Sequence, residues 1–396
     1  MSSGSLRRAC GFFVLAGLAI GCSDETVAAT STGAGPTPVC ELPQGNPHVV
    51  AIEGALGLHM ALWSDGRLRC WGDDDFNLCA RGADYSPYNI GTFEAGGVSC
   101  LSAVQFEGGN VVGVEDWSPP RSGSSSVVLW GAAPELFVTT DAFGVGRIET
   151  AEPPALVSAD GPLLVYGPES GLFWKGTIVI DDEVPPNFIR ADELTPVALP
   201  GPVVDLSTDG AVCAVLADGR LYCWGYGPNG ELGLGDSSVS IEPALVASPE
   251  PLCEVDQGVD WMCARACSGA VYCTGTNTFG QIDPSGPERV RSLSRIEGLP
   301  PLDAISLEGF TGCGIGAGEL WCWGERELLT GEAGSAPPSR VADFIGVADL
   351  SLADGSSLCA LRQDGTVWCD GEPSAHARCG NGADGWQQLD FSCGAP

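Results

Sequence analysis

The segment from Val203 to Asp236, VVDLSTDGAVCAVLADGRLYCWGYGPNGELGLGD, constrains the chain more than any other, because it spells out a β-hairpin together with its register. Two apolar runs, Cys213–Leu216 and Leu221–Trp224, flank Ala217-Asp218-Gly219, and Gly is the residue that lets such a turn close. Slipping the pairing by one residue would move every side chain to the other face of the sheet. Cys213 and Cys223 stand opposite each other only if the pairing is symmetric about Asp218. That requires a three-residue loop, Ala217 to Gly219, with Gly219 in the left-handed conformation. Directly opposed residues lie within the reach of a disulfide.

The hairpin recurs. Cys263 and Cys273 flank Cys267-Ser268-Gly269, and Cys359 and Cys369 flank Gln363-Asp364-Gly365. Cys313 and Cys322 are one residue closer together, around Ala317-Gly318, so their loop becomes a two-residue turn and the cysteines stay opposed. Met60 and Cys70 flank Ser64-Asp65-Gly66, with Met60 in the first cysteine's place. Two further copies lack cysteine: Ala159-Asp160-Gly161 leading to Val165-Tyr166-Gly167, and Val127–Gly131. The glycines that end the copies are Gly72, Gly131, Gly167, Gly225, Gly275, Gly324 and Gly371, separated by 59, 36, 58, 50, 49 and 47 residues. A β-rich period of roughly 40–50 residues is that of a propeller blade, a small antiparallel sheet that buries its faces only against its neighbours in a ring. The expectation is an all-β, seven-bladed β-propeller stapled by disulfides, with any error falling in the 36-residue interval between Gly131 and Gly167.

The repeated pattern runs from an apolar start through a Gly to C-A-L-x-x-D-G-x-L-x-C-W-G-x-N-x-x-G-x-L-G, and in this it resembles the RCC1 repeat family. The match is best over Val203–Asp236, clear over Val50–Gly82, Pro251–Gly286, Leu302–Gly331 and Val347–Gly382, and weak across Val98–Leu199. The sialidase Asp-box separates its Asp and Gly by one residue, whereas Asp218-Gly219 and Asp364-Gly365 are adjacent, so that pattern is rejected. The resemblance implies the seven-bladed fold and a scaffold role. It carries over no exchange-factor residue, because the loops that act there do not match here.

At the N-terminus, Arg7-Arg8 precedes an apolar stretch of about a dozen residues, too short to span a membrane, which reads as a signal peptide. Leu18-Ala-Ile-Gly-Cys22 resembles a bacterial lipobox with Cys22 as the lipidated residue, although Ala19 stands where a larger aliphatic residue is usual. The alternative is simple cleavage after Val27-Ala28-Ala29. The expected organisation is therefore a signal peptide over residues 1–22, a flexible Thr/Ser/Gly/Ala/Pro tether over 23–47, and the propeller over 48–396. Such a protein would be exported, as an outer-membrane lipoprotein or an extracellular monomer, touching the membrane only through the lipid anchor. Its 51 acidic residues against 18 basic give a net charge of −33, which repels nucleic acid and anionic lipid.

Eighteen cysteines agree with an oxidising compartment. The four hairpins claim eight of them, as Cys213–Cys223, Cys263–Cys273, Cys313–Cys322 and Cys359–Cys369. Cys253 begins the first strand of its blade and Cys267 lies in the turn beside it, so these two form a fifth candidate pair. The pairing of Cys40, Cys70, Cys79, Cys100, Cys379 and Cys393 stays open, although Cys40 would help close the ring if it reached Cys393. Cys263 and Cys267 have zinc-like spacing, but the hairpin claims Cys263, and no metal or other cofactor is expected.

Signals for chemistry are sparse. His48, His59 and His376 are too scattered for a ligand set, no Ser-His-Asp order stands out, and His59 reads as structural. Asp73-Asp74-Asp75 and Asp181-Asp182-Glu183 lack the alternation of a calcium loop and read as solvated turns. Blade two departs from the rest: between Val111–Val114 and Val127–Trp130 it carries a long turn, Glu115 to Ser126, which presents Trp117 and Arg121 as candidate partner-binding residues. A second insertion, Lys175 to Glu193, falls between the third and fourth strands of blade three and should emerge on the opposite face of the ring. The sequence favours a non-enzymatic binding scaffold, surface-tethered or secreted, for an unidentified protein or envelope ligand. The alternative is a secreted propeller enzyme acting on glycans through paired carboxylates.

Overall fold

The structure is a computed structural model. It describes residues 48–55, 58–63, 68–72, 91–93, 111–117, 126–131, 134–139, 145–158, 162–181, 187–209, 211–235, 238–325, 334–353, 357–371 and 386–389. These residues form seven four-stranded antiparallel sheets and no helix. Each sheet is one blade with its strands in chain order. The first strands line up around the axis: Val49–Ala55, Val111–Trp117, Leu156–Ser158, Val203–Asp209, Leu252–Gly258, Ala304–Glu308 and Val347–Ala353. The chain is an all-β, seven-bladed propeller.

The core lies between blades rather than within them, as expected for sheets that are apolar on both faces. One cluster joins Val215, Leu221 and Leu232 of blade four to Leu252, Val255 and Met262 of blade five. Similar clusters join blades two to three, three to four, five to six and six to seven. The seam between the last blade and the first is closed in the same way, with Val49, Ile52 and Ala61 packed on Cys359, Leu361 and Val367. No strand is exchanged across that seam among the described residues: blade seven draws all four of its strands from Val347 onward.

The hairpin register is as the cysteine spacing predicts. Cys213 pairs with Cys223, Cys263 with Cys273, Cys313 with Cys322, and Cys359 with Cys369. Their Cα atoms are 4.2, 4.0, 4.0 and 4.0 Å apart, and all four pairs are at disulfide distance. Gly219, Gly269 and Gly365 take φ of 84°, 90° and 82° at the third loop position. Ala317 and Gly318 take 51° and 73°, the two positive values of a type I′ turn. Met60 faces Cys70. Cys22, Cys40, Cys79, Cys100, Cys379 and Cys393 lie outside the described residues, as do the signal and tether segments.

Blades two and three correct the sequence reading. Gly131 and Gly167 end the second strand of their blades, not the third. Ala159-Asp160-Gly161 lies outside the described residues, and the strands on either side of it in sequence, Leu156–Ser158 and Leu163–Gly167, are the first and second of blade three. The second-to-third hairpin there is the turn between the paired Gly167 and Gly171. With strands assigned this way, the short 36-residue interval disappears, since first strands begin at residues 49, 111, 156, 203, 252, 304 and 347.

Two further consequences follow. The first two strands of blade two extend to Trp117 and Ser126, which pair with each other, so Trp117 is a strand residue rather than a turn residue. Arg121 lies outside the described residues. Most of the Lys175–Glu193 insertion is strand, within a long hairpin of Gly171–Val179 and Phe188–Val197. Connections between strands one and two and between strands three and four leave an antiparallel blade on the same side. The Trp117–Ser126 and Val179–Phe188 connections therefore leave the ring on one face, not on opposite faces.

Candidate binding cleft

Inner strands are bound to one another by acids recurring at one repeat position. Asp205 is two residues past Val203, Glu254 two past Leu252, and Asp349 two past Val347. Each reaches the following blade. Asp205 Oδ2 accepts from the Val255 amide at 2.8 Å, Glu254 accepts from Ile305 N at 3.3 Å, and Asp349 Oδ2 accepts from Ile52 N at 3.0 Å across the ring seam. Asp256 adds a further link to Leu307 N at 2.8 Å. Across the same seam, buried His59 places Nδ1 2.9 Å from Ser351 Oγ, which gives this histidine a structural role. A buried carboxyl that accepts backbone N–H donors has its hydrogen-bonding capacity satisfied.

Beside this belt lies a cleft of about 690 Å³ on the face that carries the second-to-third-strand turns. It spans blades three to six. Its apolar wall includes Leu156, Tyr166, Val204, Pro251 and Ala304, and its rim carries the Ala217–Gly219 turn and Cys267. Val204 is exposed at 45%, the one large aliphatic of the wall that faces solvent so fully. The turn is fixed from below, because the Leu252 amide donates to Gly219 O at 2.9 Å. A Cβ on Gly219 would come within 2.5 Å of Pro251 Cβ, so glycine is required there by contact as well as by φ.

The acids of the cleft are already engaged. Asp205 and Asp256 hold backbone amides, and Glu254 Oε2 accepts from Arg265 Nε at 2.6 Å, both side chains being largely buried. At the rim, the Arg220 guanidinium beside Asp218 holds that carboxyl below its ordinary range. A glycoside-cleaving pair needs one carboxyl raised to act as acid and a second free to attack or activate water. Asp205, Asp256 and Glu254 instead serve the ring. Glu231 and Asp209 are raised, but at the other mouth: burial pushes Glu231 up to about 7 and Asp209 up to about 6, with the charge of Asp260 adding to both. Asp209 Oδ2 is buried without a hydrogen-bond partner. Among the described residues, no group of three His, Cys, Asp or Glu is placed to hold a metal.

Of the residues singled out in the sequence, Cys253 and Cys267 do belong to the cleft. They lie at disulfide distance with Cα atoms 5.0 Å apart. Trp117 stands on blade two, away from it. Sequence reasoning missed Val204, the engaged acids and the cleft itself. The available signal was the acid two residues into three apolar strand starts, VVD, LCE and VAD, a polar residue repeated where burial is expected.

Fold and repeat together define the class: a disulfide-stapled, seven-bladed propeller of RCC1-like repeats. Residues 218–264 match the family described as "Regulator of chromosome condensation (RCC1) repeat". Among curated proteins, the chain is 29% identical over 199 residues to the E3 ubiquitin-protein ligase HERC2 of Mus musculus, covering 46% of this chain and 4% of HERC2. It is 32% identical over 116 residues to the ultraviolet-B receptor UVR8 of Arabidopsis thaliana, covering 28% of this chain and 26% of UVR8. The chain thus matches only a small part of these relatives' lengths. Among solved structures, human WBSCR16 superimposes with a TM-score of 0.55 at 15% identity, covering 66% of this chain and 77% of that one. The structure of Kap60 bound to yeast RCC1 (Prp20) gives 0.53 at 12% identity, covering 87% and 76%. These findings support the RCC1 repeat family, and the solved structures speak for the fold alone.

Proposed function

We propose that the protein is a non-enzymatic scaffold that binds a partner protein at the cleft of blades three to six. One observation carries this reading: the cleft is walled mainly by apolar side chains, while its buried acids are engaged in joining blades. Such a surface offers burial and shape to a partner. Yeast RCC1 bound to Kap60 shows a propeller of this fold in a protein complex. In the same reading the chain acts outside the cytosol, held by lipid on Cys22 through the tether of residues 23–47 or released by cleavage near Ala29. The net charge of −33 favours a partner with a basic surface around its apolar contact.

The test is affinity capture from the cell envelope with the mature protein and its Val204→Asp variant side by side. The expected result is a partner retained by the wild type and lost with the variant, whose melting temperature is unchanged. A partner retained equally by both would place the binding surface elsewhere. Turnover of an envelope glycan by the purified wild type would replace the scaffold reading with an enzymatic one.

A further inference from the structure

We propose that the Cys253–Cys267 disulfide is a redox-addressable bond, which a dithiol opens while the propeller stays folded and which thereby frees the rim of the cleft. The proposal rests on a contrast among the five pairs at disulfide distance. The eight hairpin cysteines are at most 1% exposed and sit in the apolar clusters between blades. Cys253 and Cys267 are both exposed, and both line the cleft. Thiol–disulfide exchange requires an attacking thiolate to reach a sulfur along the S–S axis, so access decides which bond reacts in the native state. For the hairpin pairs that access requires a blade to separate from its neighbour. For Cys253–Cys267, whose residues are both exposed, no blade has to separate.

The exchange balances with a dithiol as co-reactant. One thiolate of the dithiol attacks one of the two sulfurs, forming a mixed disulfide as the other sulfur leaves as thiolate. The second thiol of the reductant then attacks the mixed disulfide. Two electrons and two protons have passed to the protein, which carries two thiols, and the reductant leaves as its own disulfide.

The fold does not depend on this bond. The Cys267 amide donates to Pro251 O at 3.0 Å, the Leu302 amide to Gly269 O at 2.9 Å, and Arg265 pairs with Glu254 across the same two strands. Once the crosslink is cut, the turn Cys267-Ser268-Gly269 is held to the rim by these backbone bonds without a covalent tie, and a rim turn so held opens locally more readily. The rim then loosens while the hairpin pairs keep the blades intact. This holds whether or not the cleft binds a partner.

The experiment blocks free thiols of the purified protein with N-ethylmaleimide, then reduces it with graded dithiothreitol under native conditions. Newly freed thiols are labelled with an isotopically heavy maleimide and located by peptide mass spectrometry. Cys253 and Cys267 should label at least tenfold faster than the eight hairpin cysteines, with tryptophan fluorescence unchanged. Equal rates for all ten cysteines, or slower labelling of this pair, would overturn the proposal, since reduction would then follow unfolding. A second arm measures amide hydrogen exchange. The Cys253→Ser/Cys267→Ser variant should fold and exchange faster over residues 251–270 than the oxidised wild type, matching the reduced protein, with the other blades unchanged. Failure of that variant to fold, or exchange equal to that of the oxidised wild type, contradicts the claim.

Discussion

Glu231 should make the propeller less stable as the pH rises through neutrality, and replacing it should remove that loss. The side chain is 7% exposed, and its Oε2 accepts from the Asn229 amide at 2.8 Å. Burial pushes its carboxyl up to about 7 from an ordinary 4.5; nearby Asp260 and Asp209 push the same way, against the pull of the amide bonds. A carboxyl whose folded pKa lies above its unfolded value binds its proton more tightly in the native state. Its stabilising contribution is fully present below the unfolded value and is lost as pH rises through the folded one. The window therefore runs from 4.5 to about 7. At about 1.4 kcal/mol per pH unit, the loss is about 3 kcal/mol as an upper limit, because Asp209 titrates in the same range and shares the repulsion.

Urea unfolding at about pH 5 and about pH 8 reads this directly through the linkage between proton binding and stability. Glu231→Gln keeps the shape and removes the charge. It should leave stability at the lower pH within about 0.5 kcal/mol and raise it at the higher pH by about 2 kcal/mol. A variant less stable than wild type at the higher pH would refute the reasoning. The Asn229 amide would then hold an ionised Glu231, and burial would not govern its charge.

Three other outcomes follow from the geometry. Asp349→Ala leaves the buried amides of Ile52 and Leu350 without their acceptor at the ring seam, and should lower the unfolding free energy by about 3 kcal/mol in urea titrations; a change below about 0.5 kcal/mol would show that the apolar packing of the seam suffices alone. Gly219→Ala combines φ of 84° with a Cβ 2.5 Å from that of Pro251, so it should cost about 2 kcal/mol or more in the same assay and loosen the cleft rim by hydrogen exchange. Ala317→Asn puts the preferred residue at φ of 51° beside Gly318 and should raise stability by about 0.5 kcal/mol, a gain absent if the turn relaxes out of type I′.

What could be read from the sequence was what a covalent pair pinned. Cysteines ten or nine residues apart, with a Gly at the last loop position, determine register, turn length and face together, and the strands lie as that pattern requires. Blades two and three have no such pair. An apolar run ending in Gly marks a strand edge but does not say which strand of the blade it ends. An acidic residue followed by Gly is no better guide: Asp218 stands in the turn between the second and third strands of blade four, while Asp209 ends the first strand and pairs with Ala211 of the second. Local turn chemistry tells the chain to reverse; only long-range pairing tells it where in the sheet it is. The cleft was hidden for a related reason. Its wall gathers Leu156, Val204, Pro251 and Ala304 from four blades, and no single repeat contains enough of it to be seen.

Belt, disulfides and clusters divide the stability of the ring between them. Each hairpin disulfide closes a loop of about ten residues, and the entropy removed from the unfolded chain by so short a loop is modest and confined to one blade. The disulfides therefore hold blades together and leave the ring to other forces. Those forces are the apolar clusters between blades and the acids at the third position of the inner strands. The seam between blades seven and one has the same two elements as the four-to-five and five-to-six seams, and adds the His59–Ser351 contact. Among the described residues no strand is exchanged at the seam, which is closed by apolar packing and by the Asp349–Ile52 bond. Blades can then differ in their turns without opening the ring, as blade five does with its exposed disulfide at the cleft. Variation in the turns is thereby separated from the apolar clusters that make the ring.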